Sequence, residues 1–169
     1  RVPVWVRAVE SAVGRPSPRR LGAAIKGKVV VVTGASSGIG RDCALKLAEA
    51  TSGEVTVVTI GPERAADALK KALQMGADKA VHVCDDAIHG SDAPATSLVL
   101  AEAIKKATDG SPQLVITGMA STDGTMGVVP AMLAERLGLP QVTYASELTL
   151  DGEKLTIRRD NDASVETIE

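Results

Sequence analysis

A chain of 169 residues, 44% hydrophobic and 24% charged, is long enough for one α/β domain with a real core. A net charge of −2 argues against nucleic acid as the main partner, and no apolar run approaches membrane-spanning length. One Trp, one Tyr and no Phe leave the core to Val, Leu, Ile, Ala and Met, with few rings to stack on a base or flavin.

Residues 1–27 differ in composition from the rest of the chain. Val4, Val6, Val9 and Val13 with Trp5 read as a short amphipathic helix, broken by GRPSPRR from Gly14 to Arg20. The stretch reads as an arm or linker laid on the domain surface. Lys28 to Thr33 is a fully apolar strand of the parallel-sheet type. TGASSGIG comes next, from Thr33 to Gly40, then a helix through Ala50 with Cys43, Leu45 and Leu47 available for burial. Here Gly34 permits a tight turn, Gly38 permits close approach of a pyrophosphate, and Gly40 permits the helix to pack near the strand.

Glu54 to Ile60 is a second strand, turned by Gly61-Pro62 into a helix over Glu63 to Met75. Its end offers no acidic residue for ribose hydroxyls, since Glu63 is displaced onto the helix start. Lys79 to Val83 is a short third strand in which His82 reads as a strand-edge residue. The loop Cys84 to Pro94 holds Asp85, Asp86, His89 and Asp92, without metal-site spacing on a defined element, and reads as polar surface. Ala95 to Thr108 is the next helix. Cys43 and Cys84 are isolated, with no CxxC and no signal peptide, which points to a reducing cytoplasm.

Leu114 to Ile116 reads as a buried strand, leading into a loop of Gly118, Ser121, Thr122, Asp123, Gly124, Thr125 and Gly127. Val128, Val129, Met132, Leu133 and Leu137 then form the apolar face of a helix closed by Gly138 and Pro140. A strand feeding a Gly/Ser/Thr loop that opens a helix is a recurring phosphate cradle, built of backbone N–H groups, hydroxyls and the helix dipole. Its plain alternative is a strand-to-helix turn. Gln141 to Leu150 is a further strand, Asp151-Gly152 a hairpin turn, Lys154 to Arg159 the return, and Ser164 to Ile168 a third C-terminal strand.

Two resemblances are carried by these blocks. The strand ending in TG, the STDG loop and the helix ending LAERLGLPQVTY resemble the beta subunit of electron transfer flavoproteins. The similarity runs upstream through GEVTVVTIGPERAADALKKALQMGADKAVHV and downstream to Glu169. It implies an α/β domain that binds AMP and pairs with an alpha subunit carrying FAD. It puts Ser121, Thr122, Asp123, Gly124, Thr125, Gly127 and Val128 at the phosphate, with Thr59, Ile60, Gly61 and Gly118 bordering the adenosine.

GKVVVVTGASSGIGRDCALKLAEA instead resembles the first strand and helix of short-chain dehydrogenases, which bind NAD(P) there. That resemblance implies nicotinamide dinucleotide contacts from Gly34, Ser36, Gly38, Ile39 and Gly40. The dehydrogenase chemistry needs a Tyr with a Lys four residues later; Tyr144 is followed at that spacing by Leu148, so no enzyme is expected. The chain therefore reads as a hybrid of two α/β folds, engineered in preference to a natural fusion, with its seam between Gly40 and Gly53. Its domains are an arm over 1–27 and one nucleotide-binding domain over 28–169, dehydrogenase-like over 28–50 and flavoprotein-like over 53–169.

The expected architecture is a three-layer α-β-α Rossmann-like domain with a parallel sheet of order 3-2-1-4-5 and a C-terminal β-hairpin or meander. Strands one and four then meet at the switch point, where such sheets bind ligands, and both glycine-rich loops open there. The expected function is AMP-type nucleotide binding without catalysis. The alternatives are NAD(P) binding through TGASSGIG, or a folded hybrid with no ligand.

Overall fold

The computed structural model describes residues 4–7, 29–33, 54–74, 76–109, 112–121, 125–151, 154–160 and 164–168. Two sheets organise them. Six strands form the larger one: β1 (Val4–Arg7), β2 (Val29–Thr33), β3 (Glu54–Ile60), β4 (Lys79–Val83), β5 (Leu114–Thr117) and β6 (Gln141–Val142). Their order is β4-β3-β2-β5-β1-β6, and every neighbouring pair is parallel. Three helices pack on it: α1 (Ala66–Gln74), α2 (Ala93–Ala107) and α3 (Val129–Leu137).

Strands β3 and β5 are buried without alternation, as in a parallel sheet covered on both faces. In β3, Val55 and Val57 point one way and Thr56 and Val58 the other, and all four are buried. The crossover from β3 to β4 runs outward along the sheet and that from β4 to β5 runs back. Right-handed connections therefore set α1 and α2 on opposite faces. On the α2 face, Val58 and Val115 meet Leu100, Ala101 and Ile104 of α2 and Leu133 and Ala134 of α3 in one buried cluster. Arg136 of α3 ties the two helices together: its Nε donates to Ser97 Oγ at 2.9 Å. Helix α3 ends at Gly138, whose φ of 64° satisfies the left-handed cap that a side chain would resist.

The neighbour order β4-β3-β2-β5 is the expected 3-2-1-4. The next position differs. Val4–Arg7, expected in a helix, is a strand between β5 and the strand expected beside it. Val4 stands opposite Leu114 and Arg7 opposite Thr117, while Trp5 and Val6 pair on their other side with Gln141 and Val142. Physically, Val-Trp-Val favours extended backbone, and a run this short carries no period long enough to distinguish helix from strand. Among the described residues β6 pairs with β1 alone.

The expected strand over Gln141 to Leu150 is in fact two. Chain direction changes at Tyr144, a non-glycine residue with φ of 56°, and β7 (Ala145–Asp151) begins a separate antiparallel sheet. With β8 (Lys154–Asp160) and β9 (Val165–Ile168) it makes the expected meander, in the order β7-β8-β9. Leu148, Ile157 and Ile168 are cross-strand partners on one face, with Ile157 buried; Arg159 and Glu166 form an ion pair along the same face.

Candidate functional site at the carboxyl edge of the parallel sheet

Strands β3, β2 and β5 are adjacent, so their carboxyl ends form one edge. The end of β3 carries Thr59, Ile60 and Gly61. The end of β5 carries Thr117 and Gly118 and opens the connection to α3, with Ser121, Thr125, Gly127 and Val128. Between them β2 ends at Thr33, so the ends of β3 and β5 lie two strand spacings, about 10 Å, apart. The structure thus brings Thr59, Ile60 and Gly61 to one edge with Gly118, Ser121, Thr125, Gly127 and Val128. Gly34, Ser36, Gly38, Ile39 and Gly40, with Thr122, Asp123 and Gly124, lie outside the described residues.

The loop after β5 is built on left-handed backbone. Thr125 has φ of 46° and Gly127 of 64°, with Met126 between them 66% exposed. Thr125 is β-branched and resists that region, so the loop holds it there: its N–H donates to the Ser121 carbonyl at 3.0 Å. Helix α3 then starts at Val129 with Val128 in the capping position, and the Val128 side chain makes no cap hydrogen bond to the first turn. Among the described residues a Cβ built at Gly118 meets no atom within 4 Å.

Sequence reasoning missed Thr117. It is 4% exposed, and its hydroxyl has no hydrogen-bond partner among the described residues. The pleat turns Thr117 to the same face as Val115, which packs on Leu133 of α3. Two residues along a strand advance about 6.6 Å, and four residues back along the helix from Leu133 to Val129 retreat about 6 Å. Thr117 therefore lies level with the uncapped first turn of α3. Burying an unpaired hydroxyl costs about 1–3 kcal/mol. Thr56 carries a similar hydroxyl, but within the sheet, away from this edge. The available signal was position: a threonine closing an apolar strand just before a glycine.

His82 was the second residue underrated. It stands in the outermost strand beside Thr59, and its Nε2 lies 3.0 Å from the Gly61 carbonyl. The Gly61 N–H donates to Val83 O at 3.1 Å. Both polar groups of the Gly61 backbone are thus engaged by β4, and toward a ligand this position presents its Cα.

The acidic loop after β4 has local tasks. Asp85 Oδ1 accepts from Ala87 N and Asp92 Oδ1 from Ala95 N, so the latter caps α2 and starts it at Ala93, ahead of the expected Ala95. Among the described residues no group of three His, Cys, Asp or Glu could hold a metal ion. No described helix is long and apolar enough to cross a membrane. At the opposite, amino edge, the Glu54 carboxylate accepts from Lys79 Nζ at 2.8 Å and holds that ammonium above its ordinary pKa.

This arrangement has relatives. A short-chain dehydrogenase from Escherichia coli CFT073, solved with NADPH, shares the fold at a TM-score of 0.50 and 17% identity, over 78% of this chain and 62% of that one. Electron transfer flavoprotein subunit beta of Mycobacterium leprae is 52% identical over 111 residues, covering 66% of this chain and 41% of the relative. Protein FixA of Azorhizobium caulinodans is 40% identical over 116 residues, with the same two coverages. This chain thus spans about two fifths of the length of the curated relatives it matches. Residues 42–169 match the model of the electron transfer flavoprotein domain, beginning inside the interval from Gly40 to Gly53 and taking in the last part, 42–50, of the stretch 28–50. Over those residues the chain belongs to the electron transfer flavoprotein family, among beta-subunit relatives.

Proposed function

We propose that this chain is the nucleotide-binding portion of a flavoprotein beta subunit, holding an AMP-type nucleotide at the carboxyl edge, with no catalysis of its own. The phosphate would lie at the first turn of α3 and the nucleoside toward Thr59, Ile60 and Gly61. The observation that carries this reading is the buried Thr117 hydroxyl, without a hydrogen-bond partner among the described residues and level with a helix start that Val128 does not cap. Helix dipole, backbone donors and that hydroxyl together suit an anion. The open space at Gly118 and the span from β5 to β3 support a ligand with a phosphate at one end and a nucleoside at the other. The beta-subunit relatives support an FAD-carrying alpha subunit as the partner in electron transfer.

Calorimetric titration of nucleotide-stripped protein with AMP tests this. Gly118→Val is the decisive variant, because the added methyl groups enter space that the described residues leave open. The expected result is an unchanged melt with AMP affinity at least about tenfold weaker. Wild-type protein that gives no heat with AMP would remove the reading.

A second reading concerns the segment before residue 42. We infer that it is a dehydrogenase-like piece joined to the flavoprotein domain, which the start of the family match just after TGASSGIG supports. In that reading NAD(P) is the competing ligand. Strand β2, which precedes TGASSGIG in sequence, lies directly beside β5 and ends at the same edge. Titration with NAD and NADP at the same salt separates the two: NAD(P) preference lost on Gly38→Val would assign the site to that loop.

A further inference from the structure

His82 belongs to the edge strand β4 and stands in register with Thr59. Paired residues of parallel strands share a face, and Val81 packs into the cluster on the α2 side. The imidazole therefore lies on the other side of the sheet, the side of α1. A carbonyl has no hydrogen to give, so the 3.0 Å contact with Gly61 O is a bond donated by Nε2–H. The Gly61 N–H donates in turn to Val83 O. Beyond Gly61 the chain turns sharply: a Cβ there would stand 3.2 Å from Ala65 Cβ, in the 3-10 turn Glu63–Ala65 that leads into α1. Gly61 is thus clasped between β4 and that turn, at the nucleoside end of the proposed crevice. With its N–H and carbonyl both fixed, the Thr59-Ile60-Gly61 backbone makes a rigid wall.

We propose that His82 is a positioning residue that sets this wall, and through it the affinity for the nucleoside part of the ligand. The proposal rests on the nucleotide reading above. Loss of the Nε2–H bond removes the fastening of the Gly61 carbonyl itself, and the Gly61-Pro62 peptide can then tilt between the bonds on either side of it, Gly61 N–H to Val83 O and Ala65 N–H to Pro62 O. The phosphate end, about 10 Å away across β2, keeps its groups. The effect is therefore carried by base and ribose and not by phosphate.

The experiment measures AMP, adenosine and pyrophosphate binding by wild type, His82→Leu and His82→Gln. For leucine, AMP and adenosine affinities are expected to fall together by about five- to tenfold, with pyrophosphate unchanged. Glutamine offers an amide N–H close to the place of Nε2 and is expected to bind within about twofold of wild type. Should leucine abolish the cooperative melt, His82→Asn, polar but too short to reach the carbonyl, carries the same expectation. Unchanged AMP affinity in the leucine or asparagine variant, a parallel loss of pyrophosphate, or failure of glutamine to restore binding would overturn the proposal alone. Wild type that binds neither AMP nor adenosine would overturn the nucleotide reading and this proposal with it.

Discussion

The two sheets solve the burial problem differently. The parallel sheet is covered on both faces, so β3 buries five successive residues and β5 all four. The meander alternates: in β9 exposed residues interleave with half-buried ones, and on β8 Ile157 is buried next to an exposed Arg158. Stability is concentrated where two layers of helix enclose the strands. The candidate site sits on that rigid sheet, at an edge whose loops can vary without disturbing the core. The meander joins it through a two-residue strand and the left-handed corner at Tyr144.

That contrast can be broken by mutation. Leu133 is fully buried between α3, α2 and β5, and Leu133→Ala should cost about 2–5 kcal/mol, lowering the main melt and the denaturation midpoint together. A shift no larger than that of a surface substitution would mean that the helical layer is not where stability resides. In the meander, Ile157→Val removes one buried methylene at a cost of about 0.5–1.5 kcal/mol. Here the expected result is faster amide exchange confined to β7, β8 and β9, with the main transition unmoved. Equal acceleration in β3 and β5 would show the two sheets to be one cooperative unit.

The smallest effect expected is electrostatic. The bond to Glu54 raises the Lys79 pKa, so the pair's stabilisation is complete below the ordinary lysine value and disappears as pH rises through the folded value. The melting difference between wild type and Lys79→Met should be small near neutrality, vanish in strong alkali, and shrink with salt. A difference that grows with alkaline pH would reverse the sign.

Much of this contrast was legible in the residues. Uninterrupted valines at 29–32 announced a parallel-sheet strand, Glu54 to Ile60 announced a second strand, and Asp151-Gly152 announced the hairpin. The phosphate-type loop was legible as composition, because Gly, Ser and Thr after an apolar strand are what an anion cradle requires. Three things were hidden. Val4–Arg7 is too short for its period to separate strand from helix, and its place between β5 and β6 is decided by pairing with residues over a hundred positions away. Tyr144 breaks what looks like one strand, since no glycine marks its left-handed turn. Thr117 and His82 matter through a missing partner and a single carbonyl bond, and neither is written in residue type.

The position of β1 also sets an order of events during synthesis. Ribosomes deliver Val4–Arg7 long before Leu114–Thr117 and Gln141–Val142, the two strands it must join. Among the described residues nothing nearer in sequence pairs with β1, and closing so long a loop is entropically slow. The earliest described strand therefore waits for nearly the whole parallel sheet to emerge, and its docking is the act that brings β6, and the meander behind it, into register.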